Sequence, residues 1–250
     1  RSAIFLNEFE TTDFLLDPTY GDVIHRRAAL EHIRLWGIKN PFLNGNDFTT
    51  AVPGHTFPPH LRGTGIMAFD SDVTVASCSF HGLTEGVWVA NFPYFKGVRI
   101  RNNTFTDCVH SVVLQGTLLA EVTRNEIQVP ISAAWPYADD DVRRGYNNPV
   151  GIYLIGSTNY HVEENTVTGS ETQQHLLHKQ YSFGIVASES MFTWQDTPDM
   201  FTDALFEQSS ASIFLNRVTG CTFGIQMEGD NKGAYDLNDP TTHGYGLMVE

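Results

Sequence analysis

Apolar residues along this chain fall into short runs of period two, not into helical stripes. Eight runs share one form, an apolar pair around a free position, and most open on glycine. They begin at His32 ("HIRL"), Gly65 ("GIMA"), Gly86 ("GVWV"), Ser111 ("SVVL"), Gly151 ("GIYL"), Gly184 ("GIVA"), Gly224 ("GIQM") and Gly246 ("GLMV"). A second element follows: an apolar residue, Asn three places on, and another apolar residue two beyond that. It occurs as Ile4-Asn7-Phe9, Leu43-Asn46-Phe48, Ile100-Asn103-Phe105, Val122-Asn125-Ile127, Val162-Asn165-Val167 and Ile213-Asn216-Val218. Tyr235-Asn238 is a weaker copy, and Val75-Phe80 carries Cys78 where the Asn belongs. The run start and the Asn lie 14 residues apart in His32–Asn46, Ser111–Asn125, Gly151–Asn165 and Gly224–Asn238. The shortest complete unit is 22 residues, Asn103 to Asn125.

A short unit of period-2 strands with no obligatory helix fits a chain that winds once around an axis per repeat. Each strand then bonds to its equivalent one turn above and below, and the inward side chains stack into a core. The expected fold is all-β: a parallel β-helix of about eight turns, on the order of 38 Å long. The Asn suits a sharp turn, because it tolerates left-handed backbone and its amide can bond its counterpart one turn away. Cys78 could fill that slot without continuing an amide ladder. A leucine-rich repeat has a similar period, but Leu does not dominate the required positions.

These residues resemble the right-handed parallel β-helix repeat family, within the pectin-lyase-like superfamily, over almost the whole chain. The resemblance implies that "GIYL" belongs to the first sheet, "YHVE" to the second and "TVT" to the third. It implies no single activity, since lyases, hydrolases, epimerases, tailspikes and adhesins share the fold. It does imply that loops flank the first sheet, whose outward face is the usual carbohydrate cleft.

Departures from the minimal unit are where function sits on a repeat scaffold. Long segments precede four runs, at 10–31, 49–62, 128–150 and 168–183, and a fifth insertion covers 188–210. Within it Thr197, Pro198 and Asp199 read as a helix start, and one or two short helices are expected, with 22–31 the second candidate. The 250 residues form a single domain, 1–250, read as part of a longer chain. Both ends fall inside a repeat, so further turns or caps are expected beyond them.

The net charge of −14, from 15 basic and 29 acidic residues, disfavours nucleic acid, anionic membranes and polyacidic glycans as partners. No apolar run is long enough to cross a membrane as a helix. Three cysteines, Cys78, Cys108 and Cys221, cannot close a disulfide framework and are read as free and buried.

Candidate chemistry is sparse. The free position of the runs reads Arg34, Met67, Trp88, Val113, Tyr153, Val186, Gln226, Met248, without a carboxylate. Two places further on it reads Trp36, Phe69, Ala90, Gln115, Ile155, Ser188, Glu228, Glu250, acidic only at the C-terminal end. A glycosidase or lyase needs converging carboxylates or a carboxylate beside a base. The densest charge cluster, Asp139, Asp140, Asp141, Arg143 and Arg144, lies in an insertion and could hold a cation or a sugar or neutralise itself. No paired-histidine metal spacing stands out beyond His175 and His178. Aromatic rings are the better signal, since sugars stack their apolar faces on them. The candidate binding residues are Trp88, Tyr153, Trp135, Tyr137, Arg143, Arg144 and Trp194, and the structural ladder is Asn7, Asn46, Asn103, Asn125, Asn165, Asn216 and Asn238.

The reading is a secreted or cell-surface, bacterial, non-catalytic module that presents loops to a polysaccharide or another surface protein. The alternative is a polysaccharide lyase or glycoside hydrolase acting at the first sheet. No cofactor is called for, with Ca2+ the one ion left open.

Overall fold

The structure is a computed structural model, and it describes residues 3–5, 7–10, 31–50, 62–91, 96–130, 148–169, 181–188, 212–228, 239–241 and 245–249. Every element among them is a strand. The insertions, Trp135, Tyr137, the 139–144 charge cluster, Trp194, Asn238 and both expected helices lie outside the described residues.

Three parallel sheets run the length of the molecule. The first holds the longest strands: Glu31–Trp36, Thr64–Phe69, Glu85–Ala90, His110–Gln115, Val150–Ile155, Phe183–Ser188, Phe223–Glu228 and Tyr245–Val249. The second holds Ala3–Phe5, Phe42–Asn44, Thr74–Ala76, Arg99–Arg101, Glu121–Thr123, His161–Glu163 and Ser212–Phe214. The third holds Glu8–Glu10, Asp47–Thr49, Ser79–His81, Thr104–Thr106, Glu126–Gln128, Thr166–Thr168, Arg217–Thr219 and Asp239–Thr241. Chain order is turn order in every sheet, as a β-helix requires. In the repeat at Gly151, Ile152, Leu154, Val162 and Val167 are wholly buried, and Gly156 makes the first corner with φ +56°.

The core is a set of in-register columns. Leu43, Val75, Ile100, Val122, Val162 and Ile213 line up in the second sheet. In the third, Phe9, Phe48, Phe80 and Phe105 stack ring on ring at 4.9, 4.8 and 4.7 Å, followed by Ile127, Val167 and Val218. Burying each such side chain is worth about 1.5–3 kcal/mol, so the columns supply the main drive to coil. Cys78, Cys108 and Cys221 are buried thiols outside any disulfide among the described residues, and burial pushes the Cys108 thiol up to about 12.

The expected amide ladder is present. The oxygens of Asn46, Asn125, Asn165 and Asn216 each accept from the backbone N–H and the side-chain amide of the Asn one turn earlier, as Asn165 does from Asn125 at 3.0 and 2.9 Å. Each amide also donates to the inward residue's carbonyl on the preceding turn: Asn103 to Val75, Asn125 to Ile100, Asn165 to Val122, Asn216 to Val162. One detail differs from the sequence reading. The Asn does not itself take the left-handed conformation; the residue before it does, at Gly45, Ser77, Asn102, Arg124, Glu164 and Leu215. That residue turns the chain outward, which leaves the Asn side chain aimed along the stack.

Cys78 interrupts the ladder as expected. Its sulfur is 3.4 Å from the Asn46 backbone nitrogen and 3.9 Å from the Asn46 amide, a weak acceptor in place of an amide oxygen. Cys78→Asn is expected to raise the unfolding free energy by about 1 kcal/mol, read as a higher urea midpoint. An unchanged or lower midpoint would mean that the slot cannot take an amide.

Candidate functional site

Six-residue strands in the first sheet would alternate faces if they were regular. They do not. The second, third and fifth residues face the core, and the first, fourth and sixth face outward. The cause is the second position. His32 points inward and stacks with Phe9 and Phe48 at 6.4 and 6.1 Å. At the same position a Cβ on Gly65 would sit 2.9 Å from the Phe80 ring, and one on Gly86 would sit 2.6 Å from the Phe105 ring. Glycine is required there because the phenylalanine stack already occupies the Cβ volume. The chain bends in from the third sheet at this point, so two consecutive residues face the interior.

The outward face therefore carries three columns. The fourth and sixth positions are in register as read from the sequence: Arg34, Met67, Trp88, Val113, Tyr153, Val186, Gln226 and Trp36, Phe69, Ala90, Gln115, Ile155, Ser188. The first position adds Glu31, Thr64, Glu85, His110, Val150, Phe183 and Phe223. Contrary to the acid-free middle expected from the fourth and sixth positions, this column carries two carboxylates. Glu31 ion-pairs with Arg34 on the same face, and Glu85 lies on the third turn between Thr64 and His110.

These groups have defined electrostatics. The Thr64 hydroxyl donates to the Glu85 carboxylate at 2.5 Å. Burial raises the Glu85 pKa, and the Thr64 bond opposes the rise. His110 is 4 % exposed, and burial drives its pKa down to about 4 against a hydrogen bond that its ring donates to the Asn148 backbone carbonyl. Among the described residues its Nε2 has no hydrogen-bond partner. The Asn148 bond therefore falls to Nδ1, which leaves Nε2 as the lone-pair nitrogen of a neutral ring. Glu85 and His110 are directly paired residues of adjacent strands on one face. They also occupy two successive turns with short connections, His81 to Glu85 and Thr106 to His110, bracketed by turns whose connections are long.

Beside them runs a path of rings. Trp36 is 72 % exposed, and its ring lies 5.5 Å from Phe69 at an interplanar angle of 43°. Phe69 in turn lies 6.1 Å from Trp88 at 63°. Trp88 continues through Val113 to Tyr153 in the fourth-position column. The Trp88 indole nitrogen is buried and has no hydrogen-bond partner among the described residues. Of the binding residues named from sequence, the structure brings Trp88 and Tyr153 onto this one face; the other five lie outside the described residues. Trp36 and Phe69 were visible as outward positions but were not singled out, since ring-to-ring contact between turns depends on register. Among the described residues, no three His, Cys, Asp or Glu side chains gather as a cation site.

A family model described as "Right handed beta helix region" matches residues 21–167. No curated protein and no solved structure matches the chain.

Proposed function

The chain belongs to the right-handed β-helix family, and on that footing we propose that it is a secreted or surface module that holds a glycan along the outer face of its first sheet without cleaving it. The observation that carries this reading is the ring path Trp36–Phe69–Trp88, exposed at one end and spaced turn by turn. Aromatic faces take up the apolar faces of sugars, while neighbouring polar groups bind hydroxyls. Arg34 and Glu85 stand on the adjoining columns and supply such groups. A net charge of −14 favours a neutral glycan over a polyanionic one.

The pair Glu85 and His110 supports a second reading as a glycan-active enzyme. A carboxyl whose pKa is raised by burial keeps its proton to higher pH than a free one, and a neutral imidazole whose Nε2 carries the lone pair can accept a proton. One experiment separates the two. Soluble neutral polysaccharides are run against the protein in affinity electrophoresis, with reducing ends assayed in the same mixtures. Binding that weakens at least tenfold in Trp36→Ala, with no new reducing ends, is the expected result; tenfold corresponds to about 1.4 kcal/mol. Reducing ends that form with the native protein and vanish with Glu85→Gln would replace the binding module with the enzyme.

A further inference from the structure

A groove of about 630 Å³ opens on a different wall of the rod, the outer face of the second sheet, lined by Ala3, Phe5, Phe42, Thr74, Arg99 and Arg101. Register explains its shape. Ala3, Phe42, Thr74 and Arg99 are successive rungs of one outward column, and Phe5, Asn44, Ala76 and Arg101 of the other. The small residue Thr74 forms the floor. On one side the Phe5 and Phe42 rings meet edge to face at 5.7 Å, with Phe5 half exposed. On the other side stand two guanidinium groups. Phe42 and Arg99 are two strands apart, about 9.6 Å between backbones, which admits one six-membered ring lying on the floor.

The charges are placed for an anion. Arg99 uses its Nε on Glu121, at 3.2 Å, which leaves its terminal nitrogens unclaimed by that bond. Among the described residues, the Arg101 side chain makes no ion pair or hydrogen bond, and it is exposed. A guanidinium presents a planar fork of donors that matches a carboxylate. In a chain with nearly twice as many acids as bases, two adjacent arginines with one acid beside them form a local reversal of sign. Beyond about 8–10 Å, salt screens the acidic remainder of the molecule, so a ligand with one carboxylate feels the arginines and not the net charge.

We propose that this groove is a second saccharide site, specific for a single carboxylate-bearing sugar: the carboxylate on Arg101 and Arg99, the sugar's apolar face against Phe42 and Phe5, and a hydroxyl on Thr74. The open rim suits a sugar, which keeps its other hydroxyls in water, more than an aromatic acid, which would need enclosure. The site is independent of the ring path on the first sheet.

The matched probes are cellobiouronic acid, a disaccharide ending in glucuronate, and cellobiose, its neutral counterpart, titrated by calorimetry or NMR. The acid is expected to bind, and cellobiose to bind at least tenfold more weakly. Arg101→Ala should weaken the acid at least tenfold and leave cellobiose unchanged, with Arg101→Lys recovering only part of the loss. Affinity should fall as salt is raised. Trp36→Ala should leave this binding intact, so a failure of the first-sheet reading does not touch it. Equal affinity for the two disaccharides would overturn the proposal, as would an Arg101→Ala protein that binds the acid normally. Benzoate binding as tight as the uronate would also overturn it, by assigning the groove to aromatic acids. The side chain is exposed, so an unchanged melting temperature is the accompanying check that the variant is folded.

Discussion

Asn165→Ala is expected to destabilise the fold by about 3–5 kcal/mol. Asn165 is 1 % exposed and joins three turns. Its oxygen accepts from the Asn125 backbone N–H and from the Asn125 amide, and its own amide donates to Val122 and to Asn216 at 2.8 and 2.9 Å. Truncation leaves the buried Asn125 N–H and the Val122 carbonyl without those partners and removes the side-chain volume between two rungs. A buried polar group left unsatisfied costs more than an average bond gains, so the effects combine to several kcal/mol. The same change at Asn7 should cost less than about 1 kcal/mol, because Asn7 is exposed and water can replace what is lost. Urea midpoints of the two variants decide it. Equal shifts would mean that the ladder is not an energetic unit and that the core columns alone hold the turns.

Much of this architecture was legible because stacking repeats each position. Ile152, Leu154, Val162 and Val167 recur at fixed spacing, and in a solenoid fixed spacing means the same wall of the rod. The fourth-position column from Arg34 to Gln226 followed by counting alone. The left-handed residue of the ladder turn was misplaced by one, because Ser77, Arg124, Glu164 and Leu215 share no side-chain chemistry that marks them. Glu85 and His110 were missed for a deeper reason. Period two assigns the residue before glycine to the interior, and only the inward bend at Gly65 and Gly86 reverses that. The signal that could have found it is the pairing of those glycines with Phe80 and Phe105, which follow fifteen and nineteen residues from the glycines they press on. A bulky column and a Cβ-less column must face each other, and a glycine that faces a phenylalanine stack is an inward residue.

Function separates from fold along the same line. Positions that recur identically are committed to the core or the ladder, and their regularity leaves them nothing to bind. Positions that vary from turn to turn are the outward ones: Glu85 beside Thr64 and His110, Trp36 beside Phe69, Arg101 beside Ala76. A β-helix uses one scaffold for several unrelated faces, since each wall changes independently of the others.

Acidification should destabilise the protein, and His110 should account for a large share of the loss. In the folded chain burial holds His110 near 4, whereas an unfolded chain titrates it near 6.5. Between those values the unfolded chain carries a proton that the folded chain does not, so stability falls as pH falls through that window. The full difference is worth about 3 kcal/mol and is complete below the folded value. Glu85 acts in the opposite direction. Its folded pKa is raised, so the cost of burying its charge is present at neutral pH and is relieved as pH drops toward its unfolded value. The two groups are paired across adjacent strands, and the native protein shows their partly cancelling sum. His110→Gln should therefore lose much less stability than the native protein between pH 7.5 and pH 4.5, and Glu85→Gln should lose more. Both are read from urea midpoints at the two pH values. A native-like fall in His110→Gln would show that His110 is not the buried neutral base that makes the outer face of the first sheet chemically distinct.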